Sequence, residues 1–316
     1  MLNTKLLIIG GGAAGMAAAL AAKEVLCQQL PNENPREFIT LLERENTPGG
    51  VLKQCIHHGF GLAYFSENLT GVEYMNRFTT QLAQSNINLL PETSAIRVFP
   101  DKTILISGSH TGQTTISFEH LILATGCYER AFQSLTTAGT RPSGIYTAGE
   151  AQYLINCRHK NIGERIVILG SGDMGQILAR RLTLEGKKVL AVIEQNPVCG
   201  GLAKNRLDCL EKYKIPVILS STISMVHGEE RITGVTVQNI HTAEGSLIPC
   251  DALVCAIGLI PERRILHHVT DNDTLPNWIT LCGNCHHVHK IVDQVTLQAQ
   301  EAGKAAMEAI CIDYKS

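Results

Sequence analysis

Apolar runs recur along the chain, and two of them lead directly into glycine-rich loops. Leu6–Ile9 precedes Gly10–Gly15, and Ile166–Leu169 precedes Gly170–Gly175. A short apolar run bounded by a glycine turn predicts a buried strand. Both loops have the spacing G-x-G-x-x-G, so each predicts a strand, a tight turn and the start of a helix.

Each loop is followed by a helical pattern and then by a second apolar strand that ends at an acidic residue. The polar stretch Gln28–Glu37, which contains two prolines, predicts a loop insertion in the first copy. The predicted elements are a helix over Ala14–Leu26, a strand over Phe38–Leu42 ending at Glu43, a helix over Met174–Glu185, and a strand over Val189–Ile193 ending at Glu194.

The similarity between the two halves continues to their ends, where Leu121–Gly126 and Leu253–Gly258 predict a closing strand and a turn. This indicates an internal duplication. The shorter alternating runs predict a small antiparallel sheet beside each parallel sheet. These alternating runs are Thr103–Ser107, Thr114–Phe118 and Ile232–Gln238. In the tail, the pattern predicts a strand over Trp278–Leu281 and a helix over Val292–Ile310.

The predicted fold is therefore α/β, with two Rossmann-like dinucleotide-binding domains of three layers each. The tail strand and helix need a sheet to join, and we expect them to join the first domain, so that the second domain is inserted into the first. The predicted boundaries are 1–126 plus 259–316 for the first domain and 127–258 for the second.

A strand that feeds G-x-G-x-x-G into a helix is typical of a pyrophosphate site, and the acid at the end of the next strand accepts hydrogen bonds from a ribose. Two such sites predict two dinucleotides and favour electron transfer between a flavin and a nicotinamide. Glu194 follows the second loop at about the 20-residue spacing that is expected. The first cation after Glu194 is Lys204, so NADH is predicted in preference to NADPH.

On these motifs the chain resembles the pyridine nucleotide-disulfide oxidoreductase superfamily. Within it, the chain resembles the small flavoproteins associated with bacterial anaerobic glycerol-3-phosphate dehydrogenase. The resemblance implies that FAD binds 1–126 plus 259–316 and that NAD(H) binds 127–258. The stretches that carry the closer resemblance are Gly49–Leu62, Leu69–Arg77, Gly139–Gly149, Leu169–Gly186 and Cys282–Asp293.

The site residues divide between the two cofactors, and no metal ligand is assigned. For FAD they are Gly10, Gly12, Ala13, Ala14, Gly15, Glu43, Gly49, Gly50, Ala95, Thr125, Gly126, Gly283 and Asn284. For NAD they are Gly170, Gly172, Asp173, Met174, Gly175, Glu194 and Gly258.

Cys55 is the candidate redox thiol, because it follows Gly49-Gly50 closely and larger relatives keep redox cysteines in this region. The alternative is a packed thiol beside the cofactor. Cys282 and Cys285 are candidates for a redox disulfide, and Cys282–His286 also matches a haem-attachment pattern and invites a zinc interpretation. We expect neither haem nor zinc, since the same residues form the turn assigned to FAD. No C-x-x-C occurs between Cys127 and Cys255, so a dithiol relay in the second domain is poorly supported.

Composition and net charge limit the classes of partner that the chain is expected to bind. The chain of 316 residues has a net charge of −2, which gives no reason to expect nucleic acid, and no apolar run is long enough for a membrane span. Its eleven cysteines and the absence of a visible signal segment predict a cytoplasmic protein. We expect an FAD-dependent oxidoreductase that exchanges hydride with NAD(H) and electrons with a partner dehydrogenase, and the resemblance implies that this partner acts on glycerol-3-phosphate. The alternatives are a self-contained thioredoxin-reductase-like enzyme and a non-catalytic FAD-binding redox sensor. Self-association into a homo-oligomer is left open.

Overall fold

The computed structural model describes residues 2–270 and 274–316. The chain folds as two compact units. The first unit is Met1–Tyr128 with Ile260–Ser316, and the second unit is Glu129–Leu259. Along the chain, the second unit is thus inserted into the first. Among the described residues, no helix combines the length and apolar character needed to cross a bilayer.

The strands are short and number from the N-terminus. They are β1 (Leu2–Asn3), β2 (Leu6–Ile9), β3 (Ile39–Leu42), β4 (His58–Phe60), β5 (Leu69–Thr70), β6 (Asn88–Leu90), β7 (Thr93–Val98), β8 (Thr103–Gly108), β9 (Gly112–Ser117), β10 (His120–Leu123), β11 (Cys127–Glu129), β12 (Ala138–Gly139), β13 (Ile145–Thr147), β14 (Arg165–Leu169), β15 (Lys188–Ile193), β16 (Val217–Ile218), β17 (Ser221–Gly228), β18 (Ile232–Asn239), β19 (Gly245–Ile248), β20 (Ala252–Cys255), β21 (Leu259–Pro261) and β22 (Ile279–Leu281).

The helices are unequal in length, and the longest is C-terminal. The α-helices are α1 (Ala13–Gln29), α2 (Pro35–Phe38), α3 (Gly71–Ala83), α4 (Ala148–Asn156), α5 (Asp173–Leu184), α6 (Ala203–Asn205) and α7 (Val292–Lys315). Short 3-10 helices cover Gly50–Gln54, Phe132–Ser134, Arg264–Leu266 and Gly283–Cys285, and Arg206–Glu211 forms a π-helical turn.

In the first unit a parallel sheet of order β22-β10-β2-β3-β6 lies between two layers. Alternate residues of β2 face opposite sides, as the pleat requires. Leu6 and Ile8 belong to the cluster formed with helices α1, α3 and α7. Leu7 and Ile9 belong to the cluster formed with the second sheet, β1-β9-β8-β7. The central strand is therefore buried on both faces, which explains its unbroken apolar run.

The second unit repeats this plan. Its parallel sheet has the order β13-β20-β14-β15-β16, and its second sheet has the order β12-β17-β18-β19. Ile166 and Ile168 pack with the helices, while Val167 and Leu169 pack with β17 and β18. The predicted α/β class and three-layer Rossmann-like plan are confirmed. Each small sheet contains three antiparallel strands, as predicted, but its edge strand, β1 or β12, pairs parallel.

Two local predictions are corrected. Helix α1 continues to Gln29, so less of the predicted loop is irregular. Phe38, predicted at the start of a strand, ends helix α2 instead. The Asn34 side chain accepts a hydrogen bond from the backbone N–H of Arg36, and Pro35 occupies the first helical turn. This capped turn lets Phe38 pack into the helix-side core.

Candidate functional site

The glycine loop of the first unit combines crowded and open positions. A Cβ at Gly10 would lie 2.5 Å from the Ala124 carbonyl oxygen, and a Cβ at Gly15 would lie 1.8 Å from the Gly10 oxygen. These two glycines are required by packing inside the protein. A Cβ at Gly12 would meet nothing within 4 Å, so the space beside Gly12 is open to a ligand. Gly12 also precedes α1 without any side-chain cap, leaving first-turn N–H groups for an anion.

The second unit contains the same arrangement. A Cβ at Gly170 or at Gly175 would lie 2.2 Å from a carbonyl oxygen, whereas Gly172 again faces open space. Asp173 begins α5, and its carboxylate accepts hydrogen bonds from the Leu202 N–H and the Asn205 side chain, both at 2.7 Å. The predicted residue Met174 packs against the helix-side core. The space beside Gly172 is thus open, and the acidic residue Asp173 follows it directly.

The acid at the end of the second strand reaches back to the glycine loop in the first unit. Glu43 is 6% exposed. Its Oε2 accepts from the backbone N–H of Gly11 at 3.0 Å, and its Oε1 accepts from the backbone N–H of Glu45 at 2.8 Å. These bonds hold the carboxylate beside the loop, at the position where a ribose acid is expected.

Glu194 is the matching acid of the second unit. Its Oε2 accepts from the backbone N–H and the hydroxyl of Ser171, and its Oε1 accepts from the backbone N–H and the side-chain amide of Asn196. Burial opposes ionisation of Glu194, but these hydrogen bonds outweigh it and lower the pKa of the carboxyl below 4.5. Glu194 is therefore a stable anion at the end of β15.

A pair of glycines follows each acid and packs against the glycine loop. The Gly49 N–H donates to the Gly11 carbonyl oxygen at 2.8 Å, and a Cβ at Gly50 would lie 3.2 Å from Gly12 Cα. In the second unit the Gly200 N–H donates to the Ser171 hydroxyl at 2.7 Å. The structure thus brings the predicted Gly49 and Gly50 to the first cradle.

The other predicted residues of the first unit lie at strand ends and turns. Thr125 follows β10, and its hydroxyl donates to the Glu262 carbonyl at 2.6 Å. The Gly283 N–H donates to Gln298 Oε1 at 2.9 Å, and Asn284 Oδ1 accepts from the His289 N–H at 3.0 Å. Ala95 lies in β7 and packs against the hydrophobic cluster that includes Ile9 and Leu42. The turn glycines that close each half, Gly126 and Gly258, face open space at the Cβ position.

Cys55 is the C-cap residue of the 3-10 helix Gly50–Gln54, which begins at the second glycine of the pair. The side chain is buried, and its Sγ donates to the Val51 carbonyl oxygen at 3.3 Å. The Cys55 carbonyl accepts from the Gly71 N–H at 2.8 Å, which fixes the residue against the start of α3. Cys55 is therefore a firmly positioned thiol between the 3-10 helix and the start of α3.

Cys282 and Cys285 are both free thiols with fully buried side chains. Cys285 Sγ donates to the Leu123 carbonyl at 2.9 Å. Burial raises the pKa of both thiols, which disfavours the thiolate that redox exchange requires. Across residues 2–270 and 274–316, no three His, Cys, Asp or Glu side chains are grouped to hold a metal, so His286, His287 and His289 form no ligand set there.

Sequence inspection missed two buried polar residues, and one of them, Gln176, supports the second cradle. Gln176 is fully buried, and its amide donates to the Ser171 and Gly200 carbonyls, which ties the glycine loop to the glycine pair. Asp293 is 3% exposed and accepts from the N–H groups of Gly61 and Ala63. The only sequence signal that could have identified Gln176 or Asp293 is a polar residue at a position that the apolar pattern of its helix predicts to be buried.

Comparison with known proteins gives a family match over most of the chain. The family model described as pyridine nucleotide-disulphide oxidoreductase matches residues 4–276. Thioredoxin reductase from Rickettsia felis is 25% identical over 276 residues, covering 84% of this chain and 80% of the relative. Cinnamate reductase from Clostridium sporogenes is 26% identical over 297 residues. Subunit HcnB of the hydrogen cyanide synthase of Pseudomonas aeruginosa is 27% identical over 238 residues.

Coverage differs between these relatives. The alignments cover 91% of this chain but 37% of the cinnamate reductase, and 74% of this chain but 47% of HcnB. The chain thus spans less than half the length of these two relatives. Among solved structures, thioredoxin reductases from T. acidophilum and Lactococcus lactis superpose with TM-scores of 0.73 and 0.75 at 19% and 17% identity. The alignment with the T. acidophilum structure covers 100% of both chains. The alignment with the Lactococcus lactis structure covers 98% of this chain and 99% of that chain. Both structures establish the shared fold.

Proposed function

The chain belongs to the pyridine nucleotide-disulphide oxidoreductase family. On this premise we propose that it is an FAD-dependent NAD(P)H oxidoreductase that passes electrons between NAD(H) and a separate partner dehydrogenase. FAD would occupy the first unit and NADH the second. When bound, the two cofactors supply hydride transfer between nicotinamide and flavin, while the protein holds them and sets their environment.

The cradle of the first unit fits FAD. Open space at Gly12, uncapped N–H groups at the start of α1 and the carboxylate of Glu43 together match a pyrophosphate followed by a ribose. The second unit has the same parts around Gly172 and Glu194. The anionic Glu194 would repel a 2′-phosphate, which supports NADH as the preferred donor.

The spacing and burial of the cysteines in the second unit support the proposal that electrons pass to a separate partner protein. The second unit contains no C-x-x-C pair, so it offers no dithiol relay of the kind found in thioredoxin reductases. Three of its five cysteines are buried, and burial raises the pKa of Cys209, of Cys250 to about 12 and of Cys255 to about 12. Such thiols are poor nucleophiles. The second unit therefore gives no support for an internal thiol relay, which favours transfer of reducing equivalents from the flavin to an acceptor outside this chain.

The relatives give further support. HcnB is named as a subunit of a hydrogen cyanide synthase, and an L-proline dehydrogenase from P. horikoshii superposes with a TM-score of 0.64 at 16% identity, covering 99% of this chain and 58% of that chain. The finer proposal, a partner that oxidises glycerol-3-phosphate, rests on the resemblance of stretches such as Gly49–Leu62. All eleven cysteines are free thiols, which supports a cytoplasmic location.

The second candidate is a self-contained reductase. It is favoured by the thioredoxin reductases that match nearly the whole length of this chain. Its acceptor would have to be a small molecule or a disulfide that reacts without a dithiol in the second unit.

Purified protein distinguishes the candidates. The protein is expected to retain FAD, and anaerobic NADH should bleach the flavin absorbance. Slow steady-state oxidation of NADH with soluble quinones or disulfides, together with recovery of a dehydrogenase when the tagged chain is purified from its own cells, supports the partner. Rapid turnover with a soluble acceptor supports the self-contained reductase. A folded protein whose bound flavin is not reduced by NADH contradicts both and favours a redox sensor.

A further inference from the structure

The acids Glu43 and Glu194 occupy matching places in the two units but differ in what surrounds them. Each is 6% exposed. Each accepts one backbone N–H from the middle of its glycine loop and one from the residue two positions further along the chain. Burial and backbone contacts are therefore equal, and the difference between the two sites lies in side-chain donors.

In the first unit the two matching positions carry no side-chain donor. Gly11 has no side chain. Glu45 has a carboxylate that cannot donate when ionised and that instead accepts from Lys53 Nζ at 2.8 Å. An ionised carboxylate offers about four acceptor positions, and Glu43 accepts two hydrogen bonds among the described contacts. Glu43 keeps acceptor capacity for the hydroxyls of a ribose.

In the second unit the same two positions carry donors. Ser171 replaces the glycine, and its hydroxyl donates to Glu194 Oε2. Asn196 replaces the glutamate, and its Nδ2 donates to Glu194 Oε1 at 2.7 Å. With the two backbone bonds, Glu194 accepts four hydrogen bonds, which matches the capacity of the group. Ser171 is itself fully buried and is held by the Gly200 N–H, so its hydroxyl cannot turn away freely.

We propose that Ser171 and Asn196 are specificity-determining residues that occupy the acceptor positions of Glu194, so that this acid selects the dinucleotide by its charge and contributes little hydrogen bonding to the ribose. The inference rests on the proposed binding of NADH by the second unit. The first unit would retain its cofactor because Glu43 has acceptor positions for the ribose, whereas the second unit would exchange its dinucleotide because Glu194 has none.

The charge of Glu194 survives this arrangement, because every one of the four contacts donates to the ionised form. A 2′-phosphate would still face a buried anion, and residues 195–203, which follow Glu194, contain no Lys or Arg to offset that charge. NADH would be accepted because it lacks that phosphate, and it would leave readily because its 2′-hydroxyl finds no free lone pair.

The test frees the acceptor positions one at a time in the FAD-loaded protein. Ser171→Gly copies the residue of the first unit, and Asn196→Ala removes the second side-chain donor. We expect each variant to bind NADH about tenfold more tightly, since one hydrogen bond to a charged group becomes available to the 2′-hydroxyl. NADPH lacks that hydroxyl, so its Kd should fall less and the preference for NADH should rise. Calorimetry with each nucleotide, under anaerobic conditions and with reduced flavin, gives both constants.

Two further measurements make the result specific. In a Glu194→Gln background, Ser171→Gly should produce a smaller gain, and the difference measures the coupling of the two side chains. Ser246→Gly, an exposed serine of β19, is the matched control and should leave both constants unchanged. If Ser171→Gly fails to fold, Asn196→Ala carries the test alone.

NADH binding that is unchanged or weaker in folded, FAD-loaded Asn196→Ala overturns the inference while leaving the proposed function intact. A folded wild-type protein that binds neither NADH nor NADPH overturns the proposed function and, with it, this inference. Tighter NADH binding with a larger preference over NADPH supports both.

Discussion

The hydroxyl groups of Tyr74 and Thr296 lie 2.7 Å apart in the interior of the first unit, and both side chains are fully buried. This hydrogen bond joins α3 to α7 across 222 positions of sequence. Burial raises the pKa of Tyr74, so its phenol remains protonated and can serve as a donor. The pair thus links the C-terminal helix to the core behind the first cradle.

Replacing Tyr74 with Phe is expected to lower the free energy of unfolding by about 1–3 kcal/mol, because the Thr296 hydroxyl loses its partner in a dry site. Urea denaturation of the holoprotein measures the effect. Tyr314→Phe, an exposed tyrosine on the same helix, is the control. Adding Thr296→Val to Tyr74→Phe should recover part of the loss, and a double variant that is no more stable than Tyr74→Phe would contradict this account.

Asp293 should fix the segment that contains Gly61 and Ala63. Its buried carboxylate accepts from both backbone N–H groups, at 3.0 and 2.7 Å. Asp293→Ala removes both acceptors, so we expect a loss of about 2–4 kcal/mol in stability and faster proteolysis near residue 61. Asp313→Ala, exposed on the same helix, should change neither quantity. Equal cleavage patterns in the two variants would show that Asp293 does not hold this segment.

Gly12 should tolerate a side chain in the fold but not in the cofactor site. Its Cβ position is open, and its φ of −75° is accessible to other residues. Gly12→Val should therefore yield folded protein that has lost FAD, as measured by circular dichroism and by flavin absorbance after purification. Gly15→Ala should instead reduce the yield of folded protein, since its Cβ would lie 1.8 Å from the Gly10 oxygen. Full FAD retention in Gly12→Val would exclude a pyrophosphate at this position.

Glu194 should make the stability of the second unit depend on pH in the acid range. The folded-state pKa is below 4.5, so its contribution is present above pH 4.5 and is lost as the pH falls through the folded-state value. Glu194→Gln should lose less stability than wild type on acidification. Urea midpoints measured above and below pH 4.5 check this, and parallel curves for the two proteins would mean that Glu194 is not stabilised in its ionised form.

Cys55 should affect reoxidation of the flavin more than its reduction. Serine can preserve the hydrogen bond to the Val51 carbonyl, so Cys55→Ser should fold normally. Stopped-flow reduction by NADH is expected to stay within about twofold of wild type, while reoxidation by a disulfide acceptor slows if thiolate chemistry contributes. Cys27→Ser, on an exposed cysteine, is the control. Unchanged rates in both half-reactions would make Cys55 a packing residue.

Local sequence patterns were sufficient for the repeated strand, glycine loop and helix. The apolar runs Leu6–Ile9 and Ile166–Leu169 have the composition of strands buried on both faces, and the spacing of the glycines that follow them favours a tight turn into a helix. The tail strand, predicted over Trp278–Leu281, covers Ile279–Leu281 and pairs with β10 in the sheet of the first unit. These features depend on residues that are neighbours in the sequence, so the sequence alone predicts them.

Other features depended on contacts between distant residues. Phe38 entered a helix because Asn34 and Pro35 favour one and because the core accepts its ring there, which outweighs its strand-like neighbours. The burial of Cys282 and Cys285, which raises the pKa of both thiols, follows from layers that only the assembled fold brings together.

The two acids show the same division most clearly. The sequence by itself determined that Glu43 and Glu194 end equivalent strands behind equivalent loops, because strand length and loop spacing are local properties. Only the tertiary structure decided that Glu43 accepts two hydrogen bonds while Ser171 and Asn196 together donate four to Glu194. Hydrogen bonding depends on distance and direction, and the 23 positions between Ser171 and Glu194 are bridged only when β14 and β15 pair in the sheet.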